Sequence, residues 1–178
     1  MTNPSFNFTG DWEFNLEFPE FTACFSETSN PYYYPSKNLR IEIQDDISEN
    51  PDPNPEQLKT LQYILEHQKE IAERACKKVL EEIPQIIRDY NLEDERDYED
   101  LTIDDIKERI QITKIHIQLN AKEGFAYYDL LGNCRWDEEH GLNLLFWKDN
   151  ALCSCRARGE KTKERGTFWG QLNCLPKT

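Results

Sequence analysis

The chain has 178 residues, 38% of them hydrophobic and 31% charged, with 34 acidic against 21 basic side chains and a net charge of −13 at pH 7. That length fits one domain, 1–178, able to bury roughly 70% of its unfolded surface, and no apolar run nears the roughly 20 residues that cross a bilayer. The acidic excess repels nucleic acid, and Met1-Thr2-Asn3-Pro4 lacks the basic and apolar regions of a signal peptide, so the expectation is a cytoplasmic protein with neither a membrane nor a nucleic-acid partner.

The first element is a half-buried strand, in which Trp12, Phe14, Leu16 and Phe18 alternate with Asp11, Glu13, Asn15 and Glu17. Pro19 has no ladder donor and marks a break before a second strand expected over 21–25. Pro31 and Pro35 bracket Tyr32, Tyr33 and Tyr34 in a turn-rich loop. Three adjacent tyrosines offer a ligand platform, against the commoner role of a loop folded over the core. Leu39, Ile41 and Ile43 resume a strand and complete an N-terminal set over 11–44.

Residues 45–54, with Pro51 and Pro53, form an acidic linker. Asn54 then reads as an N-cap, Pro55 as the first helical residue and Gln57 as the partner in a capping box. Leu58, Leu61, Leu65, Gln68, Ala72, Ala75, Val79, Ile83 and Ile86 recur at spacings of three and four, which predicts one long central helix with a kink or stop at Pro84. His67 lies off that stripe. Residues 91–100 are nearly all charged and read either as a solvated acidic loop or as an electrostatic lure for a basic partner, with Glu93, Asp94, Glu95 and Asp97 as its contacts. A short second helix opens at Thr102, where Asp105 completes a capping box and Leu101 staples against Ile106, so the helical middle spans 55–110. Residues 42–108 hold 21 acidic and 8 basic side chains, a net of −13, and the remaining 13 of each sign cancel.

From Ile112 to Arg158 the pattern is that of antiparallel strands. Ile115, Ile117 and Leu119 share a face; Phe125, Tyr127, Asp129 and Leu131 share another; Leu142, Leu144 and Phe146 a third, before a turn at Lys148-Asp149-Asn150. Between the last two runs stands Trp136-Asp137-Glu138-Glu139-His140-Gly141, read as a connection in which Trp136 anchors one end and Gly141 supplies backbone freedom at the other. Its acids and imidazole have the chemistry of a metal or general-base site. Adjacent side chains on extended backbone diverge, however, which favours a structural corner whose carboxylates accept backbone N–H groups. The tail, 159–178, carries a basic loop and one apolar run.

The expected fold is therefore α+β, an antiparallel sheet built from both chain ends and packed against the long helix and the short one. Six cysteines, at 24, 76, 134, 153, 155 and 174, are expected as free thiols; Cys153-Ser154-Cys155 has one intervening residue where a zinc knuckle wants two to four, so neither metal nor cofactor is expected. There is no phosphate loop, metalloprotease helix or nucleophile elbow.

The hexad, directly before the Leu142-Asn143-Leu144 strand, resembles the signature of a family of small bacterial domains of unknown function. Phe18-Pro19-Glu20-Phe21 and the helix around Leu61 to Gln68 are similar to further features of that family, and the likeness runs to Arg158. Some such domains resemble immunity proteins of toxin systems, and the resemblance carries over no catalytic residue. It implies a non-enzymatic acidic binding protein whose partner is a cognate toxin with a basic surface, with a nuclease as first candidate because its substrate is a polyanion. Two alternatives stay open: a metal-dependent hydrolase using Asp137 to His140, and a structural or oligomerisation module.

Overall fold

The computed structural model of the chain describes residues 5–6, 10–23, 38–45, 52–90, 92, 98 and 100–155. Among these are seven strands and four helices in the order β1 Ser5–Phe6, β2 Asp11–Glu17, α1 Pro19–Ala23, β3 Asn38–Gln44, α2 Pro55–Glu66, α3 Gln68–Tyr90, α4 Ile103–Arg109, β4 Ile110–Lys122, β5 Phe125–Cys134, β6 Asp137–Trp147 and β7 Asn150–Cys155. No helix is long and apolar enough to cross a membrane among them.

The class is α+β, but the sheet is mixed rather than antiparallel. Strands hydrogen-bond in sequential order from β1 to β7, and every pairing is antiparallel except β3 with β4, where Arg40 to Ile43 run parallel to Lys114 to Ile117. Parallel neighbours need a long crossover, and the helical middle is that crossover. One face of the sheet presents Ile41, Ile43, Ile115, Ile117, Tyr128, Leu130, Leu144 and Phe146, all buried, to Ile64, Ile71, Ala75, Cys76 and Val79 of the helices. α2 lies on β4 and β5. α3 touches β7 at one edge and α1, which follows β2, near the other, so the twisted sheet wraps around it.

Two further expectations are corrected. The stretch after Pro19 is a helix, α1, not a strand: Pro19 suits the first helical turn, where its missing donor has no intrahelical partner to lose, and one turn brings Phe21 back onto Phe18, ring centres 6.4 Å apart. The single long helix is two. It breaks at His67, with backbone at φ −121° and ψ 30°, where side chains reach carbonyls of the last turn of α2: His67 Nδ1 lies 2.9 Å from Tyr63 O and Gln68 Nε2 donates to Leu65 O at 3.1 Å. The break turns α2 relative to the stripe, so Gln57, Thr60 and Ile64 face inward and Leu58 is 51% exposed. Pro84 sits inside α3 on its exposed side and does not end it.

The predicted caps are in place. Asn54 Oδ1 accepts from Gln57 N at 2.8 Å and Gln57 Oε1 from Asn54 N at 3.0 Å; Thr102 and Asp105 repeat the arrangement before α4. Gln57, almost wholly buried, goes further. Its Nε2 donates to Gln44 O at 2.6 Å and Gln118 O at 3.2 Å, tying the start of α2 to the far ends of the parallel pair.

Candidate functional site

The signature hexad is mostly strand. Only Arg135 and Trp136 form the turn between β5 and β6, and Asp137 already pairs with Cys134 across it. Trp136 packs half-buried against the core, and Arg135 N donates to Arg109 O at 3.0 Å, fastening the turn to the end of α4. Gly141 has φ +69°, and a Cβ there would stand 2.3 Å from Gly132 O; a Cβ on Gly132 would stand 1.9 Å from Gln111 O. Backbones of β4, β5 and β6 thus close on one another at these two glycines, where no side chain fits.

Asp137 is the centre of the site. Its Oδ1 accepts the backbone N–H of His140 at 2.9 Å and lies 2.9 Å from His140 Nδ1. Its Oδ2 accepts the Tyr90 hydroxyl at 2.5 Å. A carboxylate can only accept, so Nδ1 carries the proton and Nε2 is the remaining nitrogen of a half-exposed ring. Burial pushes the Asp137 carboxyl up, but the hydrogen bonds from Tyr90 and from both groups of His140 outweigh it and hold the pKa below the usual 3.8. The neighbouring Cys134 thiol, buried and donating to Asp137 O at 3.7 Å, is pushed up to about 12 by burial and cannot serve as a thiolate.

Tyr90 ends α3, and its bond to Asp137 brings the last turn of that helix to the hexad. Glu139 and His140 are exposed there. Tyr32, Tyr33, Tyr34, Glu93, Asp94, Glu95 and Asp97 lie outside the described residues, as does the side chain of Glu138.

His116 and Asp129 face one another on the sheet surface away from the helices. Asp129 is opposite Leu145, well along β6 from Asp137. Glu13, Glu42, His116 and Asp129 stand in one cross-strand row. Lys114 Nζ reaches Glu42 at 2.9 Å, Arg40 bridges Glu13 and Glu42, and Gln118 Nε2 donates to Asp129 Oδ2 at 2.7 Å. Asp129 Oδ1 and both amide atoms of Asn143 are buried without a hydrogen-bond partner among the described residues. Alternation along single strands gave no sign of this row, because it exists only once the register between strands is set. Among the described residues no three His, Cys, Asp or Glu side chains converge as a metal site would require.

No curated protein and no solved structure matches the chain. A family model does: residues 10–157, spanning every element from β2 to β7 and the whole of the hexad, fit a domain of unknown function. The chain belongs to that family, the domain of unknown function DUF6985.

Proposed function

We propose that the protein is a bacterial immunity protein, a non-enzymatic binder that neutralises a cognate toxin by covering its active surface. The observation that carries this reading is where the negative charge lies. α3 holds five acidic and five basic residues and contributes nothing net. The excess sits in the connector between β3 and α2, in residues 91–100, and in the acidic first turn of α4. The second of these follows Tyr90 in sequence, and the Tyr90 hydroxyl is bonded to Asp137, three residues before the exposed His140. Negative charge concentrated in these segments attracts a basic partner and raises its rate of encounter. A nuclease, whose substrate site must be basic, is the target class that fits.

The test is association kinetics between this chain and the product of a toxin gene encoded beside its own. Reversing Glu93, Asp94, Glu95 and Asp97 to lysine is expected to slow association by about tenfold or more at low salt and to flatten its dependence on ionic strength. On-rates equal to those of the parent, or no complex at micromolar concentrations, would remove this reading.

A second reading is favoured by one observation, the half-exposed His140 ring held by a buried carboxylate, which is how a general base is oriented. It is distinguished by His140→Ala. If the imidazole only fixes the corner, toxin binding falls in step with folding; if it is a base, a hydrolytic activity disappears from a protein of nearly unchanged melting temperature.

A further inference from the structure

The end of the sheet remote from the hexad holds a cluster of opposite character. There β4 turns into β5 at Glu123 and Gly124, β6 into β7 at Lys148 and Asp149, and α2 passes beside both. Lys59 Nζ lies 4.2 Å from the centre of the Phe125 ring. Lys148 Nζ is 4.7 Å from that same ring and 4.5 Å from the Trp147 ring, over which Lys122 Nζ also stands, at 5.0 Å. Because they share rings, neighbouring ammonium groups lie no farther apart than the sum of their distances to one centre.

The rings are fixed. Trp147 Nε1 donates to Lys122 O at 3.0 Å, and Phe125 meets the edge of Tyr63 with centres 5.5 Å apart. Lys59 Nζ also packs against the Gly124 backbone, 3.7 Å from where a Cβ would stand. Lys148 has φ +54°, a conformation in which glycine or asparagine is favoured, and its ammonium lies within reach of both rings.

None of the three lysines forms an ion pair with a described residue, in a chain with 34 acidic side chains. The adjacent Asp149 is taken up by the Tyr63 hydroxyl, whose pKa burial and Asp149 both raise. A ring face holds an ammonium in place without neutralising it. Three positioned, unneutralised cations on half-buried aromatic rings form a surface for carboxylates flanking an apolar side chain.

We propose that this corner is a docking surface for a short acidic peptide segment of a partner protein. A nucleic acid fits less well, because its bases would have to displace the ammonium groups to stack on the rings, and the rest of this acidic chain repels a long polyanion. The surface is separate from the toxin reading, and its test uses no toxin.

That test is a titration of the full ¹⁵N-labelled chain with hexaglutamate, following the Trp147 indole resonance, identified by its loss in Trp147→Phe, and the amides of Gly124 and Lys148. Saturable shifts that weaken with added salt are expected. The Lys59→Gln/Lys122→Gln/Lys148→Gln protein should bind about tenfold or more weakly, and the matching arginine protein should retain binding, because charge and ring contact both survive. Absence of saturable shifts at these resonances overturns the proposal, as does parental affinity in a folded glutamine protein. If the triple variant does not fold, Lys148→Gln alone decides on the same readings. Tighter binding of hexathymidylate at the same resonances also overturns it, in favour of a nucleic-acid site.

Discussion

Both oxygens of Asp137 are occupied, one by His140 and the other by Tyr90, so a single carboxylate joins the β5–β6 turn to the end of α3. Its folded pKa lies below the usual 3.8, so the stability it contributes is fully present above that value and is lost as pH falls through the lower folded value. Asp137→Asn is therefore expected to cost about 1 to 3 kcal/mol near neutral pH, and the gap between parent and variant in urea melts should close on the acid side of 3.8. A gap that stays constant with pH would show that the charge of Asp137 contributes nothing. Asn143 is the opposite case. It is buried with no hydrogen bond from its amide to a described residue, between the apolar Leu131 across the strand pair and Leu145 along its own strand. Asn143→Leu should raise stability by about 1 kcal/mol, since an unpaired buried amide costs more than an apolar group of similar shape; a destabilised protein would mean that the amide has a partner in solution.

Among the elements, those with a local chemical signature were legible in the sequence. The Asn54–Gln57 and Thr102–Asp105 boxes each need only four residues, and α2 and α4 begin where the boxes place them. The β2 alternation and the strands from β4 to β7 are likewise local patterns. The helix break at His67 was not legible, because neither proline nor glycine marks it; it rests on the His67 and Gln68 side chains reaching the carbonyls of Tyr63 and Leu65. Strand direction was not legible either, since side chains alternate between the two faces of a sheet whichever way its strands run. The order of strand, helices, strand was the available signal for the β3–β4 pair. Of the site, the hexad was visible as residues, whereas its bond to Tyr90 joins positions 47 apart and appears only in the fold. Gln57 makes the dependence of local on distant structure testable. Gln57→Ala removes three hydrogen bonds from a buried position and is expected to cost about 2 to 4 kcal/mol. Gln57→Glu should be no better, because it sets a carboxylate against two strand carbonyls; parental stability in either protein would show that the link between α2 and the parallel pair contributes little.

Across the whole molecule, the exposed Glu139 and His140 of the hexad stand toward one end of the sheet and the three ring-bound lysines at the other. The single parallel seam has a consequence of another kind, for the order in which the chain folds. Each antiparallel pair from β4 to β7 closes over a short turn, whereas β3 and β4 cannot meet until residues 45–109 are gathered between them. Closing a long loop costs entropy before any contact offsets it, so the four-strand meander should assemble early and the seam late. In stopped-flow chevrons, Leu130→Ala and Leu144→Ala would then slow refolding, while Ile41→Val would leave refolding nearly unchanged and speed unfolding. The outer edge, β1 to β3, would be the first part of the sheet to peel away.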